Sequence, residues 1–292
     1  MHKLSKLCIA VGLTISLPSN AANYVYDDLN RLVQVIYSSG KTVNYTYDAA
    51  GNILSITTEE QHTECLLYAV HDESRRDSQF FTINPNQNFA VDLLGQLHLH
   101  QDIESLDIHP TTNQIFAAAG DDGENPGHLY QVNSQTGDLL PIGATSFNEI
   151  NGLSFHPNGS LWGWAEGDGL IQINALTGAA TLELAYTEPV EDITWDNQGS
   201  TLYAVVNSKL LAYDGQIITQ LNCTLPGGEV EALEMLPDGR LLFGIHNDNS
   251  LSIHALDISS CELTGVAIDT KVDGMRLNDV EGIAWPIATC SN

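Results

Sequence analysis

The chain has 292 residues, enough for one large domain and a small appendage, and its 43 % hydrophobic content supplies a core. It carries 37 acidic residues against 10 basic ones, a formal net charge of -27. That balance argues against nucleic acid, which needs Lys and Arg on its phosphates, and against anionic membranes, while it attracts cations.

Lys3 and Lys6 precede an apolar stretch over residues 7–17, and small residues follow at 19–22. This is the pattern of a secretory signal peptide over residues 1–22, with cleavage near Ala21 or Ala22. The apolar run is too short to span a bilayer, and no later stretch is long enough. Cys8 lies at the start of that run and not after it, which speaks against a lipid anchor. The expected location is secreted or periplasmic. Loss of the leader leaves Cys65, Cys223, Cys261 and Cys290, an even number that predicts disulfides in an exported protein.

The next segment, residues 23–60, contains an internal echo. Tyr24, Tyr26 and Asp27 are repeated by Tyr45, Tyr47 and Asp48, and residues 28–32 by 49–53, a period of 21 residues. Alternating aromatics suit strands, and Ala50, Gly51 and Asn52 suit a turn. The segment closely resembles the YD repeat of the RHS family. In large members the resemblance implies many copies winding a closed β-shell. Fewer than two copies cannot do this, because such units bury their apolar faces only against neighbours. A short β-hairpin segment is expected, with an adhesive or assembly role as the alternative to a leftover strand pair.

From residue 64 a phrase recurs that begins with an aliphatic residue, usually followed by Glu, and often ends at Pro. It starts at Ile103, Ile150, Val190, Val230 and Val280, in steps of 47, 40, 40 and 50 residues. That is the period of a four-stranded propeller blade. Each of the first four phrases is followed by a turn and further strands, as at 114–118, 161–164, 202–205 and 241–245. The fifth has none after it, whereas 66–70 and 79–84 read as second and third strands without a first. The expected fold is therefore an all-β, five-bladed β-propeller over 64–292. Its closing blade takes the inner strand from the C-terminal end and the outer strands from the N-terminal end, which leaves no open edge. Cys65 precedes the second strand of that blade and Cys290 follows its first, so a Cys65–Cys290 disulfide should replace the missing turn. Cys223 and Cys261 then pair by elimination.

The first strand of each blade lines the channel. The phrase sets Glu104, Glu191, Glu231 and Glu281 at one register, with Asn151 in the fifth copy, and Asp102, Glu149, Glu229 and Asp279 nearby. Crowded carboxylates raise one another's pKa unless a cation intervenes, and calcium is the expected ion for such oxygen donors. A second acidic tier is expected from the loops carrying Asp72, Asp121, Asp122, Glu166, Asp168 and Asp248. Residues 121–124 resemble part of a calcium loop without the full EF-hand spacing. His98 and His100 read as two imidazoles on one strand face, a spacing that suits copper or zinc. His109 and His156 recur before Pro and read as repeat structure. Trp162, Trp164, Trp195 and Trp285 read as core on inner strands.

The motifs of serine hydrolases, zinc proteases and phosphate loops are missing from the sequence. The leading reading is an exported, non-enzymatic binding protein whose partner is a protein or small molecule on one propeller face. It is expected neither to bind nucleic acid nor to insert in a membrane. One alternative is a calcium-dependent hydrolase, because the ring loosely resembles that of propeller lactonases and phytases. The few cations of the propeller, Arg75, Arg76, Lys209, Arg240, Lys271 and Arg276, are poorly suited to a polyphosphate. The other alternative is a structural or adhesive surface module.

Overall fold

The computed structural model describes residues 22–27, 29, 31–37, 41–48, 51–60, 65–74, 76–225, 227–247, 250–268, 270–272, 274–287 and 290. Residues 1–21 of the expected leader, Arg75 and Asp248 lie outside these residues. The chain divides into two units, one ending at Thr63 and one running from Glu64 to Asn292.

The first unit is a four-stranded antiparallel meander: Ala22–Tyr26, Leu32–Tyr37, Lys41–Tyr47 and Ile53–Glu60. It holds two hairpins' worth of strands where the sequence suggested one. The Asp of each Tyr-Asp pair closes a turn. Asp27 Oδ1 accepts from the amides of Leu29 and Arg31, both at 2.9 Å, and Asp48 Oδ1 accepts from Asn52 at 2.8 Å. The two copies are clamped together by Arg31, which pairs with Asp27 at 2.7 Å and lies 4.7 Å over the ring of Tyr47. Tyr47 in turn donates its hydroxyl to the Leu32 carbonyl at 2.6 Å.

The second unit is a β-propeller. Among the described residues it has five four-stranded antiparallel sheets and one small two-stranded one. The inner strands are Ile103–Ile108, Ile150–Phe155, Asp192–Trp195, Glu229–Met235 and Val280–Ala284, and each packs against the next in a closed cycle. The second and third strands of each sheet are covered on both faces by neighbouring sheets, so Ile115–Ala119 and Ser78–Asn84 are buried throughout. Outermost strands such as Ala180–Ala185 and Glu262–Ile268 are largely exposed. The closing sheet runs Val280–Ala284, Leu67–Asp72, Ser78–Asn84, Ala90–Leu93. Its inner strand and the other three do come from opposite ends of the propeller sequence. Cys65 and Cys290 are paired across that junction with Cα atoms 5.6 Å apart. Cys223 and Cys261, with Cα atoms 5.1 Å apart, tie the segment leaving the fourth sheet in chain order to the outer turn of the fifth. The pair Lys271–Val272 and Met275–Arg276 was not foreseen.

Each inner strand presents an unpaired backbone edge to the axis, and buried N–H groups there need acceptors. Side chains of the adjoining inner strand supply them. Asp107 accepts from the amide of Phe155, and Ser154 Oγ from Trp195 at 3.0 Å. Asp192 Oδ2 accepts from Leu233 at 2.7 Å, Thr194 Oγ1 from Met235 at 3.1 Å, and Glu234 Oε1 from Trp285 at 3.2 Å. At Gly152 and Gly282 the strands approach so closely that a Cβ would stand 2.9 Å from the amides of Ile193 and Leu106.

These seam acids set a pH dependence. Burial pushes the Asp107 carboxyl up to about 7 and lifts those of Asp192 and Glu234 well above the ordinary range. The unfolded chain releases the Asp107 proton near pH ~4. The contribution is therefore complete below that pH and is lost as pH rises toward 7. In cation-free buffer the melting temperature should be higher at pH 5 than at pH 8, and Asp107→Asn should shrink the difference. Equal melting temperatures for the unaltered protein would contradict this. Denaturant titration should also rank the disulfides. Loops of 225 and 38 residues predict losses of about 5 and about 4 kcal/mol for the paired Cys→Ser changes at Cys65/Cys290 and Cys223/Cys261.

Candidate functional site

The acidic register of the phrase sits on a repeated backbone irregularity. In four inner strands the pairing with the second strand skips one residue, between Ile103 and Ser105, Ile150 and Gly152, Val230 and Ala232, and Val280 and Gly282. The skipped residues are Glu104, Asn151, Glu231 and Glu281. A bulge releases its residue from the ladder and re-aims its side chain. In the remaining sheet Glu191 stands just before its strand, its amide bonded to the Val205 carbonyl at 3.0 Å.

The bulged carboxyls meet. Glu104 is pushed up to about 9 by burial and by the neighbouring Asp102, with Asp72 adding to it. Glu281 is lifted well above the ordinary range by burial and then by Glu104, Glu231, Asp279 and Asp72. Glu231 reaches about 8 through burial, Asp279, Glu229 and Glu191. Glu191 is raised by burial, Glu166 and Glu229. The carboxyls thus follow one another around the axis in the order of their strands. Asn151 Oδ1 is closed off from solvent without a hydrogen-bond partner.

The second tier is uneven. Asp72 ends the strand Leu67–Asp72 and acts on Glu104 and Glu281. Glu166 and Asp121 act with burial to push Glu149 up to about 8. Asp122 donates its backbone amide to Asp102 Oδ2 at 2.7 Å. Asp168 is exposed, and its backbone carbonyl serves the turn by accepting from Tyr186.

A histidine completes the rim. His246, on the second strand Leu241–Asn247, lies with Nδ1 2.7 Å from Asp279 Oδ1, 3.6 Å from Glu231 Oε2 and 3.7 Å from Glu229 Oε2. Neither His246 Nδ1 nor Glu231 Oε2 has a hydrogen-bond partner, although both atoms are buried. His71 holds Asp279 in place, its Nδ1 2.7 Å from the Asp279 carbonyl oxygen. Nothing in the recurring phrase marks His246. In register it stands where Asp72 stands in the closing sheet: His246 pairs with Glu229 as the Asp72 amide bonds the Asp279 carbonyl.

The other histidine expectation is corrected. His98 and His100 do not share a strand face. His98 forms a lone bridge to Ser78 and bonds the Gly137 carbonyl at 2.9 Å, while His100 sits in a turn with φ +62°. His109 and His156 are structural: their rings pack on Phe155 and Trp195 of the next sheet at 4.9 Å. Trp164 is core, but it and Trp162 lie on a second strand. Trp195 and Trp285 follow the inner strands to the opposite mouth, where they line a 240 Å³ cavity.

The RHS repeat family matches residues 26–63, within the first unit. No curated protein matches the chain in sequence. Among solved structures, TolB from Acinetobacter baumannii aligns at 12 % identity and a TM-score of 0.50, over 84 % of this chain and 79 % of that one. Virginiamycin B lyase from Staphylococcus aureus aligns at 12 % identity and 0.41, over 86 % and 85 %. Hydrazine synthase from Kuenenia stuttgartiensis aligns at 14 % and 0.41 over 59 % of this chain, which spans about half of that chain, 51 %. The TolB likeness bears on the propeller fold and on nothing further.

The crowding at the rim opposes folding. Glu281→Gln removes one like charge from the cluster and should raise the melting temperature of the cation-free protein at pH 8. A lower melting temperature would mean that its carboxyl is already satisfied by hydrogen bonds.

Proposed function

We propose that this chain is an exported, non-enzymatic binding protein that presents the acidic mouth of a propeller channel and holds a divalent cation there, calcium being the first candidate. The carrying observation is the convergence of Glu104, Glu231 and Glu281. All three are raised by burial and by other carboxylates, and Glu231 Oε2 lacks a hydrogen-bond partner. Protons or a cation must offset such crowding, and near neutral pH a hard cation bound by carboxylates does so without leaving buried charge uncompensated. Export is supported by the two disulfides together with the leader-like sequence. Among the described residues, no helix is long and apolar enough to cross a membrane. An ion fixed at the rim would present a localised positive charge on an otherwise acidic face, suited to a carboxylate- or carbonyl-bearing ligand.

Isothermal titration of the chelator-treated full chain with calcium tests this reading. A saturable event is expected, together with a rise in melting temperature that the double change Glu231→Gln with Glu281→Gln abolishes. No heat and no thermal shift with calcium, manganese or zinc would overturn it.

A further inference from the structure

Two cavities open at the other end of the propeller, and they share walls. The axial one, of 240 Å³, is walled by Phe155, Trp195 and Trp285. The other, of 470 Å³, is a cleft between the closing sheet and the sheet that begins with Glu229–Met235. Leu67 and Phe89 line one side of it, and Leu242, Ile253 and Val266 the other. Pro237 and Trp285 line both cavities. An apolar cleft of this size with a few polar groups converging at one end is the usual form of a small-molecule site.

The shared wall is fixed. Trp285 donates its backbone amide to Glu234 Oε1 at 3.2 Å and its indole Nε1 to the Cys290 carbonyl at 3.1 Å, and Cys290 is bonded to Cys65. Phe89 reaches the cleft from φ +56°, a left-handed conformation that is costly for an aromatic residue and is concentrated at binding walls.

Charge decides the ligand. Every ionisable side chain in the axial wall is an acid: Asp107, Asp196 and Glu234. Asp107 and Glu234 are only 6 % and 8 % exposed. Burial raises both, and Asp107 acts on Glu234 as a like charge. Asp196 differs. Against burial, hydrogen bonds from Ser200 hold it below the usual carboxylate range, so it stands ionised, and its donors Ser200 and Gln198 are neutral. A standing anion beside two further carboxyls and the faces of tryptophans suits a cation, which also gains from the ring quadrupoles. An anion would meet only like charge there, and a neutral polyol would not answer the charge on Asp196. In the cleft, Arg240 is paired with Asp238 at 2.7 Å, so that end adds no net charge.

We infer that the two cavities together take a small organic cation with an apolar tail. Its ammonium head sits against Trp195 and Trp285, facing Asp196 and Glu234, and its tail crosses Trp285 and Pro237 into the cleft. The site is distinct from the divalent-ion site at the Glu104 mouth and does not rest on it.

The test titrates the full chain, in chelator, with octyltrimethylammonium below its micelle concentration, followed by calorimetry and tryptophan emission. Saturable one-to-one binding with a change in emission is expected. Octanol and octanoate keep the tail without the positive charge and should bind about tenfold more weakly or worse. Glu234→Gln, close to isosteric, should weaken the cation by about tenfold and leave octanol unchanged. Val266→Arg should weaken octyltrimethylammonium and leave tetramethylammonium, the head alone, unchanged. Glu231→Gln with Glu281→Gln, at the opposite mouth, should change nothing. Circular dichroism checks each fold, and Val266→Arg, at an exposed position, decides the matter if Glu234→Gln does not fold. Octanol binding as tightly as the cation would overturn the inference, as would binding lost in the Glu231/Glu281 double variant, a larger emission change with methyl glucoside, or no saturable binding. None of these results bears on the divalent-ion reading, which fails only on its own calcium titration.

Discussion

The axis of the second unit is where its backbone has the fewest options. Every inner strand arrives there with one edge unpaired, water is excluded by the neighbouring sheets, and a stranded N–H is expensive. The solution is lateral: Asp107, Ser154, Asp192, Thr194 and Glu234 each reach across a seam and accept from the amide of the adjoining strand. Two of these are short hydroxyl side chains and three are carboxyls, and the glycines at 152 and 282 let the strands come close enough for the reach. The ring is thus held by side-chain acceptors as much as by apolar burial, and the acids are neutral at low pH because burial makes ionisation costly.

The same inner strands carry acid at both ends, with opposite consequences. Toward the Trp195 and Trp285 mouth, carboxyls are matched to amides and contribute to cohesion. Toward the Glu104 mouth, they are matched to one another and oppose it. The bulge separates the two regimes. It removes Glu104, Asn151, Glu231 and Glu281 from the ladder and turns the three glutamates toward one another, which regular alternation would not do. A protein that tolerates such a rim has stability in reserve from its sheets and its two disulfides.

Much of this was legible in the sequence. The phrase spacing located the inner strands, the orphaned strands at 66–70 and 79–84 located the closure, and Cys65 with Cys290 followed from that closure. Less visible were features that depend on the third dimension. The phrase shows an aliphatic residue followed by Glu, but nothing in its letters says that the pairing slips there. Nothing in the sequence marks Asp107, Asp192 and Glu234, and only the convergence of neighbouring edges gives them amides to serve. His246 is distant in sequence from Asp279 and Glu231, so its meeting with them is a fact of the ring. The pairing of His98 with His100 failed for the complementary reason: a positive φ at His100 ends the extended geometry that period-two reasoning assumes.

The bridge between Cys65 and Cys290 also determines how tension travels. The first unit joins the propeller immediately before Cys65, so a pull on it arrives at that sulfur first. From there the load passes through a covalent bond to Cys290, bypassing the strand ladder between Leu67–Asp72 and Val280–Ala284 that would otherwise be sheared. Peeling the closing sheet open by traction from the repeat segment therefore requires a reductant before it requires force.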